Sequence, residues 1–115
     1  MKKPRPQKLP GTTYSIRTGC GEMYITINED HEHMFEVFAT MGKAGGCASS
    51  QIESIGRLIS LALRSNVDPN QIVKQLSGIS CHQSLTVDNI KIMSCADAIA
   101  KIIKIHLNQK KVQNG

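Results

Sequence analysis

The spacing of the apolar residues changes once along the chain, and this change constrains the fold more than any other feature. Before Gly42 the apolar residues alternate with polar ones, which is the period of a half-buried β-strand. After Gly46 they recur every three or four residues, which is the period of an amphipathic helix. Because the strand pattern comes first and the helix pattern afterwards, the sequence predicts an α+β fold.

Three segments before Gly42 carry the strand pattern. Their alternating positions are Tyr14, Ile16 and Thr18, then Met23, Ile25 and Ile27, and finally Phe35, Val37 and Ala39. The glycines on either side of Cys20 separate the first two segments, and a polar turn over residues 28–33 separates the second from the third. We therefore predict a small three-stranded antiparallel sheet.

The first predicted helix covers about residues 48–64. Its apolar stripe is unusually wide, since Leu58, Leu61 and Leu63 lie beside the isoleucines that repeat at helical spacing. This width predicts a mostly buried helix.

Two further helices are predicted in the second half of the chain. Asp68 followed by Pro69 is typical of a helix start, and this short helix is expected to end near Leu76. Ser94 is the predicted N-cap of the last helix. The pattern of residues 79–93 leaves a short strand and a loop equally open. We expect the three helices to pack on one face of the sheet.

The net charge of +5 is concentrated at the two ends of the chain. Residues 11–109 carry eight basic and nine acidic side chains, so the predicted single domain is nearly neutral. We predict a flexible basic arm over residues 1–10 and a flexible basic tail over residues 110–115. Basic arms attract polyanions, so a nucleotide or nucleic-acid binding module stays open as a function. Only four aromatic residues are available to stack on bases, which argues against a base-stacking platform: Tyr14, Tyr24, Phe35 and Phe38.

Apolar runs in the sequence are no longer than four residues, whereas a membrane span needs about 20. No apolar stretch follows the charged N-terminal residues, so we predict no signal peptide. The expected location is the cytoplasm, where thiols stay reduced and structural disulfides are rare.

Four cysteines stand at the ends of predicted elements: Cys20, Cys47, Cys81 and Cys95. Their spacing contains no Cys-x-x-Cys pair, so spacing alone favours small buried side chains. Their position favours a metal site, because helix N-termini stabilise the thiolates that metals bind. Four thiolates together would form a closed tetrahedral zinc site, which is structural rather than catalytic.

Other chemistry receives less support from the sequence. Cys47 and Cys95 are the candidate pair for a thiol-redox protein that delivers electrons to a reductase. His82 lies next to Cys81 and could substitute as a ligand, whereas His106 is predicted to lie on the surface. We identify no catalytic residues, because the sequence contains no nucleophile–base set and no phosphate-binding glycine motif.

Six sequence blocks in a fixed order resemble the TSCPD domain, which occurs near the C-terminus of adenosylcobalamin-dependent (class II) ribonucleotide reductases and as short free-standing proteins. The resemblance covers about residues 9–107. The blocks are Thr18-Gly19-Cys20-Gly21, Tyr24-Ile25-Thr26-Ile27-Asn28, Phe35-Glu36-Val37-Phe38, residues 42–48, residues 55–64 and residues 94–100. The signature Ser-Cys-Pro-Asp reads Ser94-Cys95-Ala96-Asp97 here, and alanine is expected to keep the helix at a small cost.

The resemblance implies an accessory module rather than a complete enzyme. The reductase barrel, its radical cysteine and its cobalamin site have no counterpart in this chain, so we expect no ribonucleotide reduction by this chain alone. The four cysteines match the family's cysteine positions, which strengthens the zinc hypothesis. The implied partner is a ribonucleotide reductase or another protein of nucleotide metabolism, and the implied process is deoxyribonucleotide synthesis.

Overall fold

A computed structural model describes residues 2–42, 46–81 and 84–114, without the side chains of residues 46–47 and 111–114. The predicted α+β fold, with a three-stranded antiparallel sheet followed by three helices, is confirmed. A two-stranded ribbon also lies before the last helix. The elements are β1 (Gly11–Thr18), β2 (Gly21–Asp30), β3 (His33–Met41), α1 (Gly46–Arg64), α2 (Pro69–Leu76), β4 (Leu85–Val87), β5 (Ile90–Ile92) and α3 (Cys95–Asn114).

The central strand β2 pairs with β1 on one side and with β3 on the other, both antiparallel. Ile25 lies opposite Tyr14 of β1 and Ala39 of β3, so these side chains share one face of the sheet. Met23, Ile25 and Ile27 are completely buried on that face. The strict alternation in the sequence therefore identified the inner face of the sheet correctly.

Helices α1 and α3 close the core over this inner face. The core side chains that they contribute are Ile52, Ile59 and Leu63 from α1 and Ile99, Ile102 and Ile103 from α3. Full burial of a side chain of this size stabilises the fold by about 1.5–3 kcal/mol relative to exposure. The second half of the chain thus supplies the apolar surface that a three-stranded sheet needs in order to be stable.

Helix α1 also covers the outer edge of β3. The hydroxyl of Ser60 accepts a hydrogen bond from the Val37 amide and donates one to the Val37 carbonyl, both at 3.0 Å. A Cβ atom on Gly56 would lie 3.3 Å from the same carbonyl oxygen, so glycine permits this close approach. Unpaired edge groups are a site for unwanted strand pairing, and α1 removes that risk at Val37.

The prediction that α1 is mostly buried is wrong for two of its three leucines. Leu63 is buried, but Leu58 is 67% exposed and Leu61 is 47% exposed. The reason is geometric: α1 packs mainly along a single strand, β3, so only one narrow stripe of the helix faces the core. The apolar surface beyond that stripe faces solvent.

The structure tests two local predictions in the second half of the chain, the start of α2 and the conformation of residues 79–93. The carboxylate of Asp68 accepts a hydrogen bond from the Asn70 amide at 2.9 Å, so Asp68 is the N-cap of α2 as predicted. Residues 79–93, for which a short strand and a loop were both open, contain a strand, because Ile90–Ile92 pairs with Leu85–Val87. The turn between them has two residues with positive φ, which is the geometry of a tight two-residue hairpin.

The predicted basic arm is attached to the domain at two points. The Lys3 amide donates to the Arg64 carbonyl, and the Arg64 guanidinium donates back to the Lys3 carbonyl. The Arg5 guanidinium binds the buried Glu36 carboxylate with both Nε and Nη2. The positive charge of Arg5 thus meets an internal carboxylate.

His106, predicted to lie on the surface, is buried between α3 and the sheet. Its Nδ1 lies 2.7 Å from the Tyr14 hydroxyl, and its Nε2 lies 2.9 Å from the Glu29 carboxylate. Lys110 binds the same carboxylate at 2.8 Å. Helix α3 runs to Asn114, and its residues 106–110 are tied to β1 and β2.

This network predicts loss of stability in acid. Burial alone would raise the pKa of Glu29, but hydrogen bonds from Lys110 and His106 prevail and hold it below the ordinary value of 4.5. A carboxylate whose pKa is lower in the folded state stabilises the fold above its unfolded pKa, and this contribution is lost as pH falls through the folded pKa. We expect wild type to exceed Glu29→Gln in urea stability at pH 7, and the difference to shrink below about pH 4.5. A difference independent of pH would contradict this account.

Candidate metal centre

The turn between β1 and β2 places Cys20 at one end of the sheet. The Thr18 hydroxyl donates a hydrogen bond to the Gly21 carbonyl at 2.8 Å and accepts one from the Cys20 amide at 3.1 Å. Gly21 has a φ of 132°, which glycine adopts without a steric penalty. The two bonds hold the turn closed and leave Cys20 half-buried.

The N-terminus of α3 brings Cys95 to the same end. The Ser94 hydroxyl accepts a hydrogen bond from the Asp97 amide at 3.1 Å, and the Ser94 carbonyl accepts one from Ala98 at 2.9 Å. Ser94 is therefore the N-cap, as predicted, and Cys95 is the first residue of the helix. The Cys95 sulfur lies 3.8 Å from the Thr18 hydroxyl oxygen.

Cys81 is exposed and is held through the strand segment just before α3. Its amide donates a hydrogen bond to the Met93 carbonyl at 2.9 Å, two residues before Cys95. The Met93 amide in turn donates to a carboxylate oxygen of Asp97 at 2.9 Å. The position of Cys81 relative to Cys95 thus depends on Met93 and Asp97.

Asp97 is the residue at this end of the fold whose importance we did not predict. It is 1% exposed and accepts hydrogen bonds from the amides of Gly78 and Met93 and from the Lys101 ammonium. Burial alone would raise its pKa, but these donors prevail and lower it. The available signal was the Ser94-x-x-Asp97 spacing, which resembles a capping box. That spacing does not reveal that the amides of Gly78, after α2, and of Met93, before α3, also bind the carboxylate.

The pKa of the Cys95 thiol is shifted by burial and by the neighbouring side chains. Burial raises its pKa, the hydrogen bond with Thr18 lowers it, and the nearby Cys20 and Cys81 raise it further. Two thiolates repel a third in the absence of a cation, whereas a bound metal ion reverses that balance. Cys20 and Cys81 thus both lie close enough to Cys95 to affect its thiol.

These thiols fit zinc by chemistry, since soft sulfur ligands select zinc among the common divalent ions. Among the described side chains, which exclude that of Cys47, no three His, Cys, Asp or Glu groups are already arranged around one metal position. The predicted substitute ligand His82 lies outside the described residues. Cys47 lies in the first turn of α1, and only its backbone is described.

None of the helices in the described part of the chain is long and apolar enough to cross a membrane.

Comparisons with known proteins agree with the sequence blocks noted above. Neither the comparison with curated proteins nor the comparison with solved structures gave a match. A family model, that of the TSCPD domain, matches residues 1–107. TSCPD domains are associated with the C-termini of ribonucleotide reductases. Because the match covers nearly the whole chain of 115 residues, this protein belongs to the TSCPD domain family.

Proposed function

We propose that this protein is a zinc-stabilised module that acts through a protein partner in deoxyribonucleotide synthesis. The zinc ligands are Cys20, Cys47, Cys81 and Cys95, in the closed tetrahedral arrangement of a structural site. The observation that carries the proposal is that three of these cysteines lie at one end of the fold: the Thr18 hydroxyl contacts Cys20 and Cys95, and the Cys81 amide binds the Met93 carbonyl two residues before Cys95.

The backbone supports Cys47 as the fourth ligand. The Gly42 amide donates a hydrogen bond to the Glu22 carbonyl at 2.9 Å, and Glu22 is two residues from Cys20. Cys47 follows Gly42 by five residues, so their Cα atoms are separated by at most about 18 Å. The start of α1 is therefore within reach of the same end of the sheet.

The support for a partner is of two kinds. The family is associated with ribonucleotide reductases, so a reductase or another cytoplasmic protein of nucleotide metabolism is the proposed partner. In addition, the exposed Leu58 of α1 lines a groove of about 310 Å³ that α2 completes, and Leu61 of the same helix is also exposed. Exposed apolar patches are typical of surfaces where proteins associate.

Metal content tests the zinc site directly. We expect purified protein to contain about one zinc per chain, because four thiolates complete the tetrahedral coordination of one ion. Each single Cys→Ser variant is expected to lose most of that zinc in elemental analysis after dialysis. His31→Ala is the matched control, since His31 is an exposed potential ligand outside the cluster, and it is expected to keep the zinc.

Two outcomes would contradict the zinc site. Protein without metal in which all four thiols react under native conditions would show that the cysteines only pack. Metal-free protein with a reducible bond between Cys47 and Cys95 would instead support the thiol-redox function.

A further inference from the structure

One buried hydroxyl connects two of the proposed ligands. Thr18 is the last residue of β1 and is 2% exposed. Its oxygen lies 3.1 Å from the Cys20 amide nitrogen and 3.8 Å from the Cys95 sulfur, although Cys95 is 77 positions further along the chain. The same hydroxyl is 2.8 Å from the Gly21 carbonyl oxygen. It thus contacts the backbone of one cysteine and the side chain of another.

The number of protons limits what this hydroxyl can do. It carries one hydrogen and two lone pairs. When Cys95 is a thiol, the S–H can donate to the oxygen while the hydroxyl hydrogen stays with the Gly21 carbonyl. A thiolate bound to a metal has no hydrogen to donate, so the sulfur must become the acceptor. The Thr18 hydroxyl can then rotate and donate to the sulfur, giving up its bond to the Gly21 carbonyl while still accepting the bond from the Cys20 amide that holds the turn.

We propose that Thr18 is a positioning residue of the metal centre, donating a hydrogen bond to the Cys95 thiolate when zinc is bound and holding the Cys20 turn in place. This inference rests on the zinc site proposed above. Groups that hydrogen-bond to metal ligands orient them and reduce their excess charge, and their removal typically weakens metal binding by about 10–100-fold. The burial of Thr18 gives it the fixed position that such a role requires.

The test compares variants that differ by the hydroxyl alone. Thr18→Val replaces the hydroxyl with a methyl group of similar shape, and Thr18→Ser keeps it. Thr26→Val is the matched control, because the Thr26 hydroxyl is bonded at 2.8 Å to the hydroxyl of Thr13, five residues before Thr18 in β1. Zinc affinity is measured by competition with a chromophoric chelator, and the sulfur-to-cobalt charge-transfer bands are recorded after loading with Co²⁺.

We expect Thr18→Val to bind zinc at least about 10-fold more weakly than wild type and to shift the cobalt bands. Thr18→Ser and Thr26→Val are expected to stay near wild type in both measurements. If Thr18→Val fails to fold, Thr18→Ala compared with Thr18→Ser isolates the hydroxyl in the same way. Thermal unfolding of each loaded variant separates a loss of stability from a change at the metal.

Several outcomes would overturn the inference. If wild type and Thr18→Val bind zinc equally tightly and have the same cobalt bands, the zinc site is supported but Thr18 has no role in it. A variant that is only less stable would assign Thr18 a purely structural role. Wild type that binds neither zinc nor cobalt would overturn the proposed zinc site itself, and this inference with it.

Discussion

Replacement of Cys95 with serine is expected to lower the melting temperature sharply, and a strong chelator is expected to do the same to wild type. A structural zinc ion contributes on the order of 10 kcal/mol in small domains at neutral pH. The whole stability of a domain of this size is only about 5–15 kcal/mol. The site would tie the β1–β2 turn and the Cys81 segment to the start of α3. The measurement is thermal unfolding of wild type and Cys95→Ser, each with and without chelator.

The chelator distinguishes a metal ligand from an ordinary core residue. If Cys95 only packs, its replacement should cost roughly 1–3 kcal/mol through changes in packing and polarity, and the chelator should have no effect on either protein. If Cys95 binds zinc, wild type with chelator should resemble Cys95→Ser, and the variant itself should respond little. Identical melting of wild type in both conditions would show that the zinc site is wrong.

Replacement of Asp97 with alanine is expected to destabilise the protein by about 3 kcal/mol. The carboxylate accepts hydrogen bonds from the Gly78 and Met93 amides at 2.9 Å and from Lys101 at 2.7 Å. Alanine would remove the charged acceptor of these three hydrogen bonds, and a hydrogen bond to a charged group contributes about 1.5–3 kcal/mol. Urea unfolding at pH 7 measures the difference.

Glu53→Ala is a matched control for this variant. Glu53 pairs with Arg57 at 2.9 Å, with the same four-residue spacing as Asp97 and Lys101. The Glu53 side chain is 64% exposed, whereas that of Asp97 is 1% exposed. An exposed pair of this kind contributes at most about 0.5 kcal/mol. Equal losses of unfolding free energy in the two variants would show that burial of the Asp97 carboxylate does not increase its contribution to stability.

The position of the sheet and the identity of its inner face could be predicted because they depend on local periodicity. Met23, Ile25 and Ile27 alternate with polar residues, and a shift of one residue would turn all three toward solvent. The caps at Asp68 and Ser94 were also predictable, because a cap uses side-chain and amide groups within a few residues of each other. Features of this kind need no knowledge of the distant chain.

Burial of single side chains was less predictable, because it depends on which element packs against which. Leu58 and Leu63 belong to the same apolar stripe in the sequence, yet only Leu63 meets the core. His106 is surrounded by lysines in the sequence, but β1 and β2 supply Tyr14 and Glu29 on the other side. Helical periodicity shows which side chains share one face of a helix. It does not show which other element of the chain packs against that face.

The sequence by itself determined the α+β class, the order of strands and helices, the family and the placement of the cysteines at the ends of elements. The tertiary structure decided that Cys20, Cys81 and Cys95 come to one end of the sheet, with Thr18 and Asp97 binding the segments that carry them. The physical reason is the range of the interactions. Periodicity and capping act over a few residues, whereas the contact between Thr18 and Cys95 forms only after α3 has packed across the sheet.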